Sequence, residues 1–315
     1  MTAQLRAMVG DYLRVRRALG YKLVGTEHLL FAFVDYLDDH GATTVTIVHA
    51  VGFAMAPTQV SARWHALRLS AIRCFTRWAH TLDPNVQVPP ARLLPARVTR
   101  AAPYIYTDLE VAALLSAADE LRPAIRAATI HTLVALMSAT GIRTGEATGL
   151  DVSDLDTEAG TLTVTGKFGK TRMLPLHESV LAGLADYLSA RADHLGRASC
   201  PALLISTAGR RLAPASAQWN FRRLTDRVGL TVVSSACRPR LHDLRHSFAV
   251  ATMLDAYRGA GDPAVVLALL STWLGHVRPS DTYWYLTGTA ELLAAATDRL
   301  HHAVDDHDNE AGERS

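Results

Sequence analysis

Apolar positions recur at helical spacing along most of the chain, and only one short stretch alternates. Residues 1–20 carry leucines, a valine and Tyr12 at that spacing, up to Gly20. A second helix is predicted over 26–39, where Leu29, Leu30, Phe33, Val34 and Leu37 share a face ahead of Gly41. A short third follows over 46–54. Pro57 is expected to open a longer one through His80, with Val60, Trp64, Leu67, Ile72, Phe75 and Trp78 turned inward. Residues 83–103 hold Pro84, Pro89, Pro90, Pro95 and Pro103, a density that disfavours helix and sheet and predicts a linker.

Beyond it, Thr107 and Glu110 have the spacing of a capping box. Helices are predicted over 127–139 (ending at Gly141), 178–194, 214–228, 242–257, 265–274 and 291–303. Residues 161–165 and 171–176 alternate or carry β-branched residues around a glycine-bearing turn, which predicts a β-hairpin. The fold class is therefore mainly α with a small β-sheet or hairpin in the second domain. The expected division is 1–82, a linker over 83–103, 104–303, and an acidic, disordered tail over 304–315. No internal repeat is apparent.

Composition adds little beyond an ordinary globular protein: 315 residues, 49% apolar and 20% charged. Charge is more informative. Residues 1–100 hold 12 Lys and Arg against 6 Asp and Glu; residues 101–300 hold 19 against 19; residues 301–315 hold one against five. The cationic first third suits a polyanionic partner. Cys74, Cys200 and Cys237 fit neither a zinc pattern nor a disulfide framework, so a reducing cytoplasm is expected. No signal pattern is seen, and no apolar run reaches the roughly 18 residues of a membrane helix.

Chemistry gathers in the second domain. His242-Asp243-Leu244-Arg245-His246 is followed by Leu274-Gly275-His276 and then Tyr285. Upstream stand Gly141-Ile142-Arg143-Thr144-Gly145-Glu146 and Gly166-Lys167-Phe168-Gly169-Lys170. Guanidinium forks match phosphate oxygens, and a phenol can act as a covalent nucleophile, so the set suits a phosphodiester. On position alone, Arg143 also reads as a helix-end arginine paired with Glu146, and His246 as a packing histidine. His242-x-x-x-His246 invites a metal, but the zinc-protease pattern wants Glu where Asp243 stands, and an arginine sits inside the motif.

These five pieces, taken in their order along the chain, resemble the tyrosine recombinases of the phage-integrase class over about residues 104–300. The resemblance implies a helical N-terminal core-binding domain joined to a catalytic domain, and a site-specific DNA recombinase working through a 3′-phosphotyrosine link without metal, ATP or other cofactor. Arg143 and Arg245 would clamp the phosphate, and His242 and His276 would complete the cluster. Lys167 would protonate the leaving oxygen, with Lys170 as competitor, and Tyr285 would attack. Tyr283, two residues before it, would point about 200° away on a helix. Contact with double-stranded DNA is implied for Arg63, Arg68, Arg73, Arg77 and Lys170, which by themselves read as solvated surface. The resemblance further implies a tetramer on two duplexes, possible partner recombinases, and a helix over 290–303 docked on a neighbouring subunit. Within it, Trp273 and the Tyr283-Trp284-Tyr285 run resemble transposon-borne integrases. A relaxing topoisomerase of the same chemistry and a non-catalytic DNA-binding regulator are the alternatives.

Overall fold

The computed structural model describes residues 2–95, 103–166, 169–230, 237–259, 261–276, 282 and 291–299. The chain forms two compact units, Met1–Arg100 and Ala101–Ser315.

In the first unit, α1 (Thr2–Ala18), α2 (Val24–Asp39), α3 (Ile47–Met55) and α4 (Ala62–His80) enclose one core. Phe33, Leu37, Phe53, Ile72 and Phe75 fill its centre. Two expectations are corrected here. α4 starts at Ser61, whose hydroxyl accepts the Trp64 N–H, rather than at Pro57. Its buried stripe is Leu69, Ile72, Phe75, Thr76 and Ala79, while Trp64 and Leu67 are about half exposed (46% and 50%). The i, i+3, i+4 spacing from Leu69 makes one face, and Trp64 and Leu67 lie off it.

The proline-rich stretch is also not free linker over its first part. Val86 is buried in the core and Leu94 packs against it. The Gln87 N–H donates to the Val45 carbonyl (2.9 Å), and the Gln87 side chain accepts the Ile47 N–H at the start of α3 (3.0 Å). Prolines keep this segment extended, and its open backbone groups then find partners on the helices.

Of the four arginines on α4, Arg68 is occupied within this unit. Its guanidinium lies 4.0 Å from the centre of the Phe53 ring, and Nη2 donates to the Phe53 carbonyl at 2.7 Å. This is a cation–π contact plus a carbonyl bond near the end of α3. Arg73 donates to the Ser70 hydroxyl, and Arg63 and Arg77 are exposed.

In the second unit, α5 (Asp108–Asp119) is opened by the predicted Thr107–Glu110 capping box. Next come α6 (Ala124–Thr140), the one-turn α7 (Thr144–Ala147), and an antiparallel sheet of β1 (Leu155–Asp156), β2 (Thr161–Thr165) and β3 (Thr171–Pro175) in that order. The hairpin registers Leu162 with Leu174 and Val164 with Arg172, and the Gly166 N–H closes it on the Lys170 carbonyl (2.7 Å). α8 (Glu178–Leu195), α9 (Pro214–Val228), α10 (Asp243–Arg258) and α11 (Pro263–Leu274) complete the framework. β1 and α7 are additions to the predicted elements.

Residues 291–299 are helical. Leu292 is buried with Met253, Leu254, Leu270 and Leu274, and Arg299 donates to carbonyls of Tyr257, Gly259 and Gly261 past the end of α10. Within the single chain, this part of the C-terminal helix has an apolar seat and takes up carbonyls at the end of α10.

α6 is the central strut, buried from Ile125 to Thr140 against α5, α8 and α10. It ends at Gly141, with φ +63°. A Cβ there would lie 2.5 Å from Phe248 Cδ1 and 3.1 Å from Leu274 Cδ2. Glycine meets both demands, left-handed backbone and close packing. Gly141→Ala should cost roughly 2–4 kcal/mol of stability, read as a lower urea midpoint with unchanged slope.

Candidate functional site

The site grows from two helix C-termini. α6 and α11 each end in a left-handed glycine, Gly141 and Gly275, and leave carbonyls pointing past their last turns. Arg245, near the start of α10, answers both. It is 0% exposed, donates from Nη1 to the Gly141 carbonyl (2.8 Å) and from Nη2 to the Leu274 carbonyl (2.6 Å). Arginine is seldom this buried without partners, and the negative ends of two helix dipoles are suitable ones. The indole of Trp273 adds a bond to the Thr140 carbonyl (2.8 Å).

His276 follows directly. Its Nε2 lies 2.9 Å from Arg245 Nη2, and its Nδ1 lies 2.8 Å from Thr282 Oγ1. Arginine can only donate, so Nε2 accepts, and in the neutral ring Nδ1 carries the proton toward Thr282.

Arg143 caps α7, and its side chain remains about a third exposed (32%). Glu146, three residues on, accepts the Arg143 N–H (3.0 Å) and Nη1 (2.8 Å). A second arginine, Arg172 on β3, holds the same carboxylate at 2.8 Å. Burial alone would raise the Glu146 pKa; the bonds from Arg172 and Arg143 overcome it and hold the group at about 2.

His242 precedes α10 and keeps an exposed edge, its ring centre 5.2 Å from that of His246 in an edge-on arrangement. Packing around the ring, and then the charges of Arg245, Arg143 and Arg240, lower its pKa, with Asp243 opposing. His246 is buried, and desolvation followed by the neighbouring His242, Arg240, Arg245 and His276 pushes it down to about 3, so it is neutral at working pH. Asp243 is fully buried and paired with Arg240 through Nη2 (2.8 Å) and Nε (3.0 Å).

The structure thus brings together Arg143, His242, Arg245 and His276. Lys167 and Tyr285 lie outside the described residues, and Lys170 is exposed at the hairpin. Sequence reasoning missed Arg172 and Arg240. Arg240 stands three residues before Asp243, a spacing that could have suggested the pair; nothing in the local sequence points Arg172 at Glu146. Among the described residues, no three His, Cys, Asp or Glu side chains cluster as metal ligands, and no helix is long and apolar enough to cross a membrane.

Residues 106–291, which span this whole arrangement, match the Phage integrase family. The chain belongs to that family. This integrase is 40% identical to the Sinorhizobium fredii protein y4rB, assigned as an integrase/recombinase, over 96% of this chain and 98% of the relative. It is 32% identical to the tyrosine recombinase XerC of Mycobacterium sp. (strain JLS), over 88% and 90%. In fold it resembles the Tn1549 transposon integrase solved with transposon right end DNA (TM-score 0.63, 16% identity, 94% of this chain and 99% of that one). It also resembles the XerH recombinase solved on a palindromic difH substrate (TM-score 0.61, 21% identity, 94% and 84%). The integrase is accordingly a site-specific recombinase of the tyrosine type, an enzyme of DNA cleavage and rejoining.

Acid should loosen this integrase through two groups. Glu146 has a folded pKa below its ordinary 4.5, so it stabilises the fold above about pH 4.5, and that contribution is lost as pH falls toward 2. His246 is held neutral, so its contribution is complete above pH 6.5 and is lost as pH falls toward 3. Glu146→Gln should flatten the stability profile below pH 4.5 while leaving the loss that starts near 6.5. Urea titrations between pH 3 and 7 check this; an unchanged slope below 4.5 would contradict it.

Proposed function

We propose that this integrase cuts and rejoins double-stranded DNA through Tyr285. The phenol gives its proton to a histidine of the site, its oxygen attacks the scissile phosphorus, the bond from phosphorus to the 5′-oxygen breaks, and a 3′-phosphotyrosine link forms. Lys167 gives its proton to the departing 5′-oxygen. The free 5′-hydroxyl of a partner duplex then attacks the link, releasing the phenol and restoring a phosphodiester. The backbone bond energy is kept in the link, so neither ATP nor a metal ion is required.

The observation that carries this reading is one continuous chain of bonds. It runs from Arg143 to Glu146 (2.8 Å), to Arg172 (2.8 Å) and to the Trp273 carbonyl (2.6 Å); at the adjoining Leu274 carbonyl it meets Arg245 (2.6 Å) and then His276 (2.9 Å). Charge builds on the nonbridging phosphate oxygens during transfer, and fixed cations stabilise it best when they need not reorganise. Arg143 offers the accessible fork, and Arg245 the buried charge behind it. His242, with a lowered pKa, and His276 serve as proton-transfer and phosphate-bonding groups. Arg63, Arg73, Arg77 and Lys170 are the proposed contacts to the DNA backbone; Arg68, held on Phe53, is left out.

Relatives of known structure include recombinases solved on DNA as multimers, such as the lambda integrase tetramer on a Holliday junction. A tetramer on two duplexes is the working assembly proposed for this chain, alone or with partner recombinases.

Tyr285→Phe should bind target duplex as the parent does, yet form no denaturation-resistant protein–DNA adduct on nicked suicide substrates. The parent should form the adduct in excess chelator. An adduct from the phenylalanine variant would remove Tyr285 as the nucleophile.

A further inference from the structure

Arg172 is the residue that the known chemistry leaves unassigned. It lies on β3, opposite Val164, and its side chain is only 14% exposed. All three of its guanidinium nitrogens are used. Nη2 and Nη1 donate to the two Glu146 carboxylate oxygens at 2.8 and 3.3 Å, and Nε donates to the Trp273 carbonyl at 2.6 Å. These partners belong to different parts of the site. Glu146 holds Arg143. The Trp273 carbonyl sits at the end of α11, three residues before His276. Arg172 itself belongs to the hairpin that carries Lys167.

One glycine makes room for this bracket, and a second lies in ordinary contact with it. A Cβ on Gly275 would lie 3.1 Å from Arg172 Nη1, so the middle residue of Leu274-Gly275-His276 is constrained by the guanidinium as well as by its φ of +65°. A Cβ on Gly166 would lie 3.5 Å from Glu146 Oε1 and 3.9 Å from Arg172 Nη1. Gly166 immediately precedes Lys167, so the acid-bearing turn starts against the ion pair. A buried pair of this kind is a poor source of stability compared with apolar packing. What it provides is direction: a planar fork with fixed bond angles, which lysine cannot reproduce.

We propose that Arg172 is a positioning residue for strand cleavage, holding the Lys167 hairpin, the Arg143–Glu146 pair and the His276 end of α11 in one register. The proposal rests on the function given above. It does not require Arg172 to touch DNA.

The test uses the full chain and nicked suicide duplexes, one with an ordinary 5′-oxygen and one with sulfur at the bridging 5′ position, whose thiolate leaves without a proton. Arg172→Gln should bind duplex within about threefold of the parent but form adduct about a hundredfold more slowly, the usual cost of slight misplacement at a reacting centre. Arg172→Lys should recover only part of that rate. The sulfur substrate should reduce the defect, because the misplaced acid is then no longer needed. Parent-like cleavage by either variant would overturn the proposal. So would an equal loss on both substrates in step with lost DNA affinity and melting temperature, which marks a merely structural arginine. If Arg172→Gln does not fold, Arg172→Lys decides: folded but about tenfold slower supports the proposal, and parent-like cleavage overturns it. The parent is the control for the underlying function: if its adduct fails to form or maps away from Tyr285, that reading fails, whereas a Tyr285 adduct unaffected by Arg172 removes only the positioning role.

Discussion

A single buried guanidinium holds the catalytic unit together. Arg245 bridges the last carbonyls of α6 and α11, two helices far apart in sequence, and presents the same Nη2 to His276. Each helix end carries partial negative charge and unsatisfied acceptors. Without Arg245 these ends would face one another across the core with their carbonyls unpaired. With it, their opposition becomes a fixed pocket of positive charge. The glycines that end the helices follow from this geometry, because only a left-handed turn aims the terminal carbonyls inward without a side chain in the way.

Arg172 repeats the device on the outer side of α11. It takes the Trp273 carbonyl, one residue before the carbonyl held by Arg245, and passes the connection through Glu146 to Arg143. Both arginines therefore grip consecutive carbonyls of one helix end. The carboxylate of Glu146 stays ionised because two arginines outweigh the cost of its burial. Asp243, fully buried, is paired with Arg240 at the start of the helix that carries Arg245. Preorganised charge of this kind suits phosphoryl transfer, where the enzyme gains most from groups that are already in place.

Much of this was legible in the sequence, for a physical reason. Helices such as α2 and α6 bury one stripe or more, and the period shows it. The hairpin shows its alternation, and the Thr107 capping box carries its own spacing. β1 and α7 are two and four residues long, too short for any period. The proline stretch misled because extended chain and free linker look alike in composition; Val86 seated in the core and the bonds of Gln87 tell them apart. Nothing local reveals Phe53 beneath Arg68 either. Arg143, His242, Arg245 and His276 could be picked out because family motifs mark them. Arg172 could not, as its partners lie 26 and 101 positions away.

The dependence on Arg245 is tested most directly with Arg245→Lys, by measuring urea stability and single-turnover adduct formation side by side. A lysine keeps the charge, but its single nitrogen does not reproduce the planar fork whose two ends reach the Gly141 carbonyl and the Leu274–His276 pair. A loss of roughly 2–3 kcal/mol in stability is predicted, with cleavage abolished in the fraction that remains folded. A variant as stable as the parent, or one that cleaves at the parent rate, would contradict the account.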